Sequence, residues 1–244
     1  MRYELNSGII IQCRDYASRY NRKAVRVFHN GKSILDIIIK KLSHLEIPII
    51  INTPKNSSET IKIAKKYRNV DLFLRENNYD DVLYWFAKCV KKYKFDSIYR
   101  ICADNPFIQL PLIYPIKRFA ENEEYDYVAY KDAMIRHEGF FVEFVSAKAI
   151  QEANTLATDK TDRENVTSFI YNNPDKFNIY ELKIPEMLDI INIRLTVDTK
   201  DDFKIARLVY KFVGEQHWFK IIEFCLSQPL ILRDMQTNIM RNPK

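Results

Sequence analysis

The chain has 244 residues, 47% of them hydrophobic, which is enough apolar material for one full-sized core. Only four glycines and nine prolines occur, with no low-complexity tract, so a disordered or fibrous chain is excluded. The formal charge of +6 suits an anionic ligand, whereas the lysines alternate with acids as on a solvated surface and no nucleic-acid-binding motif accompanies them.

Residues 8–13 form an apolar run that reads as a strand buried on both faces. It empties at once into Arg14, Arg19, Arg22 and Lys23. Residues 33–45 carry apolar positions at helical spacing, opened by Ser33 as a cap. A second strand is expected over 48–52, a Lys-rich amphipathic helix over 57–67 and a third strand over 70–74. Residues 80–93 read as a helix with Asp80 and Asp81 in its first turn, where they suit the helix dipole. Residues 97–102 are a fourth strand. Alternation of this kind predicts a parallel α/β sheet. Ligands of such sheets bind beyond the carboxyl ends of the strands, so the first strand delivers its cations to the ligand rim.

The second half is less regular. Strands are expected over 125–130, 140–145 and 193–197, and helices over 146–156, 162–171, 201–213 and 216–226. The tail from Arg241 is expected to fray. No internal repeat or linker interrupts the chain, which predicts one domain over 1–244 with a C-terminal helical extension and tail over 214–244. Cys13, Cys89, Cys102 and Cys225 form no C-x-x-C pair and sit among apolar neighbours, as reduced core thiols do. No apolar run is long enough to span a bilayer, and no secretory leader pattern opens the sequence. A soluble, cytoplasmic protein that engages no membrane and no nucleic acid is therefore expected.

Three places carry chemistry. The first is the cation series Arg14, Arg19 and Lys23. Departure of pyrophosphate from a triphosphate needs such charges, Arg as a planar fork and Lys as a point charge. No Walker-type G-x-x-x-x-G-K-[ST] is present. The second is "RICADNPFI", where a strand ends and Asp104 follows. The third is "IRLTVDTKDDF", where Asp198 follows an apolar run. Two carboxylates on one rim are what a Mg2+–nucleotide site needs, although either Asp could instead cap a helix.

In order along the chain, "IIQCRDYASRYNRKAV", "GKSILDIII", "YDDVLYWF" after Arg75, "RICADNPFI", "FVEFV", "DRENVT" and "RLTVDTKDDF" resemble the motifs of the cytidylyltransferases of the CMP-KDO synthetase superfamily. The likeness is greatest to the branch concerned with spore-coat polysaccharide biosynthesis, and it covers about residues 8–213. The resemblance implies a nucleotide-diphospho-sugar-transferase fold with one mixed, mostly parallel sheet flanked by helices. It implies transfer of CMP from CTP to an acceptor, with Mg2+ as cofactor and pyrophosphate as product. The acceptor class it suggests is an acidic sugar, or a sugar or polyol phosphate, destined for a surface glycan.

Carried onto this sequence, the resemblance places Gln12, the backbone at Cys13, Arg14, Arg19, Lys23, Arg75, Asp80, Asp81 and Asp104 on the nucleotide. It places Arg14, Lys23, Asp104 and Asp198 at the chemistry, with Asp104 and Asp198 on the metal. Glu143, Arg163 and Arg194 fall on the acceptor side, and each could equally be an ordinary structural polar residue. The resemblance also implies a homodimer, with the apolar segment 138–145 as a candidate contact; a buried core strand is the competing reading. Departures fall at Tyr16, Ala17 and Asn21 in the first loop, and at Ala103, Gln109 and Asn165. Tyr16 is expected to narrow or reshape the phosphate loop, because small residues there let backbone amides approach phosphates. Two rival functions remain open: a catalytically impaired nucleotide-binding scaffold, and a glycosyltransferase of the same fold. The latter lacks its second acid, since "DNP" stands at Asp104.

Overall fold

Ile9, Ile10 and Ile11 are wholly buried because their strand is covered on both faces. Ile9 and Ile11 point into one hydrophobic cluster and Ile10 into another, as the two-residue strand period requires. The computed structural model describes residues 5–17, 19–76, 81–122, 124–133, 136–189 and 193–242. The chain runs β1 (Ser7–Gln12), a hairpin of β2 (Val27–His29) and β3 (Lys32–Ser33), α1 (Ile34–Leu42), β4 (Ile49–Pro54), α2 (Ser58–Ala64), β5 (Val70–Arg75), α3 (Val82–Tyr93) and β6 (Ser97–Cys102). It continues through α4 (Leu110–Asn122), β7 (Tyr127–Tyr130), β8 (Glu143–Ser146), α5 (Ala147–Leu156), α6 (Lys160–Asn165), α7 (Ser168–Tyr171), β9 (Ile179–Leu182) and α8 (Glu186–Asp189). The last elements are α9 (Lys200–Val213), α10 (Trp218–Leu226) and α11 (Pro229–Arg241).

Seven strands form one sheet in the order β5-β4-β1-β6-β8-β7-β9. Only β8 runs against the others, pairing antiparallel with both β6 and β7. Residues of α1, α4, α9 and α10 cover one face, and residues of α3 and α5 cover the other. The expected mixed, mostly parallel α/β sheet is therefore what the chain forms. Gln12, Pro54, Arg75 and Cys102 end four adjacent parallel strands, β1, β4, β5 and β6, on a common rim. No described helix is long and apolar enough to cross a membrane.

Several expectations are corrected. Residues 193–197 form no strand, although they are rich in β-branched side chains. Their amides go to loop carbonyls instead: Leu195 and Thr196 donate to His137, and Val197 donates to Asp104. The helix expected over 162–171 is split into α6 and α7, because Val166 adopts a positive φ of 60° that ends α6. The segment expected at a homodimer contact is interior: Phe140, Val142, Glu143, Phe144 and Val145 are buried within the single chain. Its apolarity on both faces is that of a central strand. Elements β2, β3, α4, β9, α8 and α11 are not among the elements expected from the sequence and emerge only in the fold.

Gly8 shows how tightly β1 is packed. A Cβ there would lie 2.2 Å from Phe95 Cε2, and the Phe95 ring is stacked on Tyr93 at 5.6 Å. Gly8→Ala should therefore destabilise the chain by about 1–3 kcal/mol through overpacking, read as a lowered urea midpoint at unchanged m-value.

Candidate active site

The segment after β1 is held by an unusual residue, Asp15, which is buried at 3% exposure. Its carboxylate accepts the backbone amides of Glu59 (2.9 Å) and Thr60 (3.0 Å) and the Thr60 hydroxyl (2.7 Å). These donors belong to the first turn of α2, where unpaired amides favour a carboxylate. The Asp15 carbonyl accepts the amide of Arg22 at 2.7 Å, and Arg22 turns the chain with a positive φ of 62°. The Asn21 side chain accepts the amide of Ala17 at 3.0 Å. Tyr16 is 57% exposed and lines neither rim cavity, so it does not narrow the loop as expected.

Lys23 ends this loop, and its ammonium lies 3.0 Å from Asp104 Oδ2 and 3.0 Å from Asp198 Oδ1. Asp104 follows β6, and Asp198 precedes α9. The backbone stitch from Val197 N–H to the Asp104 carbonyl, 2.9 Å, brings two chain segments 94 residues apart (198 minus 104) onto one rim. Asp198 also accepts from Arg19 Nη2 and from Arg194 Nη2, each at 3.1 Å. Burial opposes a charge on Lys23, but Asp104 and Asp198 outweigh it and raise the ammonium above its usual range. Burial by itself would raise the Asp198 carboxyl; Lys23, Arg19 and Arg194 reverse this and hold it low.

Two adjoining cavities open at this rim. The first, about 170 Å³, is lined by Gln12, Cys13, Arg14, Ala17, Arg19 and Lys23 on one side and by Cys102, Ala103, Asp104 and Asp198 on the other. The second, about 360 Å³, shares Arg19, Cys102, Asp104 and Asp198 and extends past Arg100, Asn105, Arg136, Glu143, Asn165 and Tyr171. Gly139 lines it too, at φ 67°, where a Cβ would lie 2.8 Å from Asn105 Oδ1. Cys13 is no nucleophile, because burial pushes its thiol up to about 12.

Comparison with known proteins places the chain in a family. The cytidylyltransferase family profile matches residues 8–228. The chain belongs to the cytidylyltransferase family. An uncharacterized protein of Methanocaldococcus jannaschii is 33% identical over 233 residues, covering 94% of this chain and 91% of that one. Spore coat polysaccharide biosynthesis protein SpsF of Bacillus subtilis is 25% identical over 214 residues, covering 85% and 87%. Among solved structures, a cytidylyltransferase from Leptospira borgpetersenii superposes with a TM-score of 0.82 at 22% identity, over 94% of this chain and 97% of that one. CMP:2-keto-3-deoxy-manno-octonic acid synthetase complexed with CTP superposes at 0.64 and 11% identity, over 84% and 98%. At these identities the two structures establish a shared fold.

Not every residue singled out in the sequence reaches the rim of this cytidylyltransferase. Gln12, Cys13, Arg14, Arg19, Lys23, Asp104 and Asp198 do, and Glu143 lines the larger cavity. Glu143 is also tied down from three sides, by Arg100 Nη1 (2.5 Å), the Tyr127 hydroxyl (2.7 Å) and the Thr167 hydroxyl (2.7 Å). Arg163 and Asp81 line neither cavity and clasp each other through two bonds of 2.9 and 2.7 Å, with Asp81 capping α3. Arg75 is fully buried at the end of β5, and Asp80 lies outside the described residues. Arg194 stands behind Asp198, bound to it and to Asp202. Sequence reasoning passed over Asp15, Arg100, Arg136 and Asp202. Only Asp202 left a signal, as the fourth residue of a Thr-x-x-Asp capping box from Thr199.

Asp198 and Asp202 are both held below the ordinary carboxylate value, burial being outweighed in Asp202 by Arg194. Their stabilisation is thus complete above the unfolded value of about 3.9 and is lost as pH falls through the lower folded values. Urea unfolding followed down from about pH 7 should show stability falling below about pH 4, with a shallower acid limb in Asp198→Asn. Identical limbs in both proteins would remove Asp198 from this linkage.

Proposed function

We propose that this chain moves CMP from CTP to a hydroxyl of an acidic sugar, or of a sugar or polyol phosphate, for a surface glycan. The observation that carries the reading is the pairing of Asp104 and Asp198 across one ammonium, beside a cavity lined by Arg14, Arg19 and Lys23. The nucleotide takes the smaller cavity. Gln12 lines it, and its Oε1 is buried without a protein partner among the described residues, which suits a donor on the edge of a base. The acceptor takes the larger cavity. Its three arginines, Arg19, Arg100 and Arg136, and three acids, Asp104, Glu143 and Asp198, fit a hydroxyl-rich molecule with an anionic group.

The donor set fits Mg2+. Two hard carboxylates meet at one cationic point, and among the described residues no group of three or more His, Cys, Asp or Glu forms a cage of the zinc kind. Asp104 and Asp198 would hold the ion, which when bound neutralises phosphate oxygens and lowers the pKa of an acceptor hydroxyl. The remaining work belongs to the chain. Arg14, Arg19 and Lys23 orient the β- and γ-phosphates and take up charge as the bond from the α-phosphorus to the bridging oxygen breaks. The acceptor oxygen attacks from the side of the larger cavity, so positioning replaces a nucleophilic residue.

The decisive measurement is pyrophosphate release with CTP, Mg2+ and a panel of acidic sugars and sugar or polyol phosphates, with ATP, GTP and UTP as controls. CTP-specific release is expected. Thr199 and not Asp198 caps α9, which corrects the cap expected of Asp198. Asp104→Asn and Asp198→Asn should keep the fold and abolish turnover, and near-normal turnover would take these carboxylates off the metal. Binding of CTP with no turnover on any acceptor would replace the transferase by a nucleotide-binding scaffold.

A further prediction separates the phosphate cations. Arg14→Ala leaves the Asp104–Asp198 pair intact and should weaken CTP binding by about 1.5–3 kcal/mol, a charge-assisted contact, with little effect on CMP. Equal losses for CTP and CMP in calorimetry would move Arg14 away from the pyrophosphate end.

A further inference from the structure

The side chain behind Asp198 is anchored from outside the region that the family profile covers. Arg194 is 1% exposed and its guanidinium is held on every edge. Nε and Nη2 donate to Asp202 at 2.7 and 3.0 Å, and Nη2 donates also to Asp198 Oδ2 at 3.1 Å. Nη1 donates to His137 Nδ1 at 2.7 Å and to the Asn242 carbonyl at 3.2 Å. Asp202 in turn accepts the backbone amides of Asp198 (3.1 Å) and Thr199 (2.9 Å). One arginine therefore serves two carboxylates, and one of those carboxylates also fixes the backbone of the other.

The last donor to Asp202 comes from α11. Asn238 Nδ2 donates to Asp202 Oδ1 at 3.2 Å, from a side chain that is itself buried. The profile match ends at residue 228 and α11 begins at Pro229. Met235, fully buried one turn earlier, seats the same face of the helix. The amide satisfies part of the Asp202 charge and so leaves more of the Arg194 guanidinium to Asp198. Without it Asp202 competes harder for Arg194, and Asp198 loses the partner that fixes its second oxygen.

We infer that Asn238 on the C-terminal helix is a positioning residue for Asp198, acting through Asp202 and Arg194. The inference rests on the proposed transferase reading, in which Asp198 is a metal-side carboxylate. It gives the C-terminal extension a part in catalysis although no residue of α11 lines either rim cavity.

The test uses the full chain with Asn238→Ala, Asn238→Asp and, as a control on the exposed side of α11, Gln236→Ala. Pyrophosphate release supplies kcat and KM for CTP, electron paramagnetic resonance supplies Mn2+ affinity in the presence of CTP, and circular dichroism reports the folded fraction. Asn238→Ala should lower kcat about 10-fold, as loss of a partner behind a metal ligand does. KM for CTP should stay within about twofold, since ground-state contacts persist. Asn238→Asp should be worse, because it sets a like charge against Asp202. Mn2+ affinity should weaken in the same order, and the control should match wild type. A packing role predicts the reverse order, since Asp has nearly the shape of Asn. Unchanged kcat and Mn2+ affinity in a folded Asn238→Ala, or better tolerance of Asp than of Ala, would overturn the inference. Should the wild type bind Mn2+ and CTP yet turn over no acceptor, the transferase reading fails alone and the order of Mn2+ affinities still decides. Absence of any Mn2+ binding with CTP would end both.

Discussion

One ammonium organises the rim. Lys23 meets Asp104 and Asp198 at 3.0 Å each, and without a cation between them two carboxylates so placed would repel. Each partner reaches that point by a different route. Lys23 arrives on a loop clamped to α2, Asp104 on the end of β6, and Asp198 on a segment with no ladder of its own. The Val197 N–H to Asp104 carbonyl bond is the join between the last two. A cluster built from such separated segments exists only once the sheet has formed, so site assembly and folding are the same event.

Behind this point lies a second, drier layer of charge. Arg194 and Asp202 are each about 1% exposed, and Arg100 and Glu143 little more. Buried pairs of this kind add little net stability relative to apolar replacements, yet breaking one is costly. Their value lies in geometry, since each pair holds a rim-facing oxygen or cation at a fixed place. Arg100, Glu143, Arg194, Asp198 and Asp202 are buried at or behind the two cavities, while Asp36 and Lys41 are buried on α1 and Arg75 at the end of β5.

The first half of the fold was legible because strands and amphipathic helices alternate from Ile9 to Cys102, the β2–β3 hairpin being the exception. In the second half the same rules misled. Residues 193–197 have strand-like composition, but their amides were claimed by loop carbonyls; Val166 broke a helix by a backbone angle no pattern reveals. Pro111 and Pro115 disguised α4, in which Pro115 sits inside the helix. At the site, the residues on the first cavity were legible from strand ends and cation spacing. The residues behind them were not, because Asp15, Arg100 and Asp202 read as ordinary surface polars until tertiary contacts bury them. Arg163 and Asp81 illustrate the converse, two motif residues that pair with each other and bind structural groups, the Asn154 and Ala157 carbonyls and the Tyr84 amide.

The clamp at Asp15 has a kinetic meaning. The loop is pinned at Asp15, Ala17 and Arg22 by the chain's own hydrogen bonds, which restrict its backbone at those residues. On the proposed reading, a nucleotide meeting such a loop would find its cations in place and would lose little affinity to ordering the receptor. Encounter would then run at the rate set by diffusion and the rim's positive potential, falling with ionic strength, and not at the slower rate of a loop that must first fold around its guest.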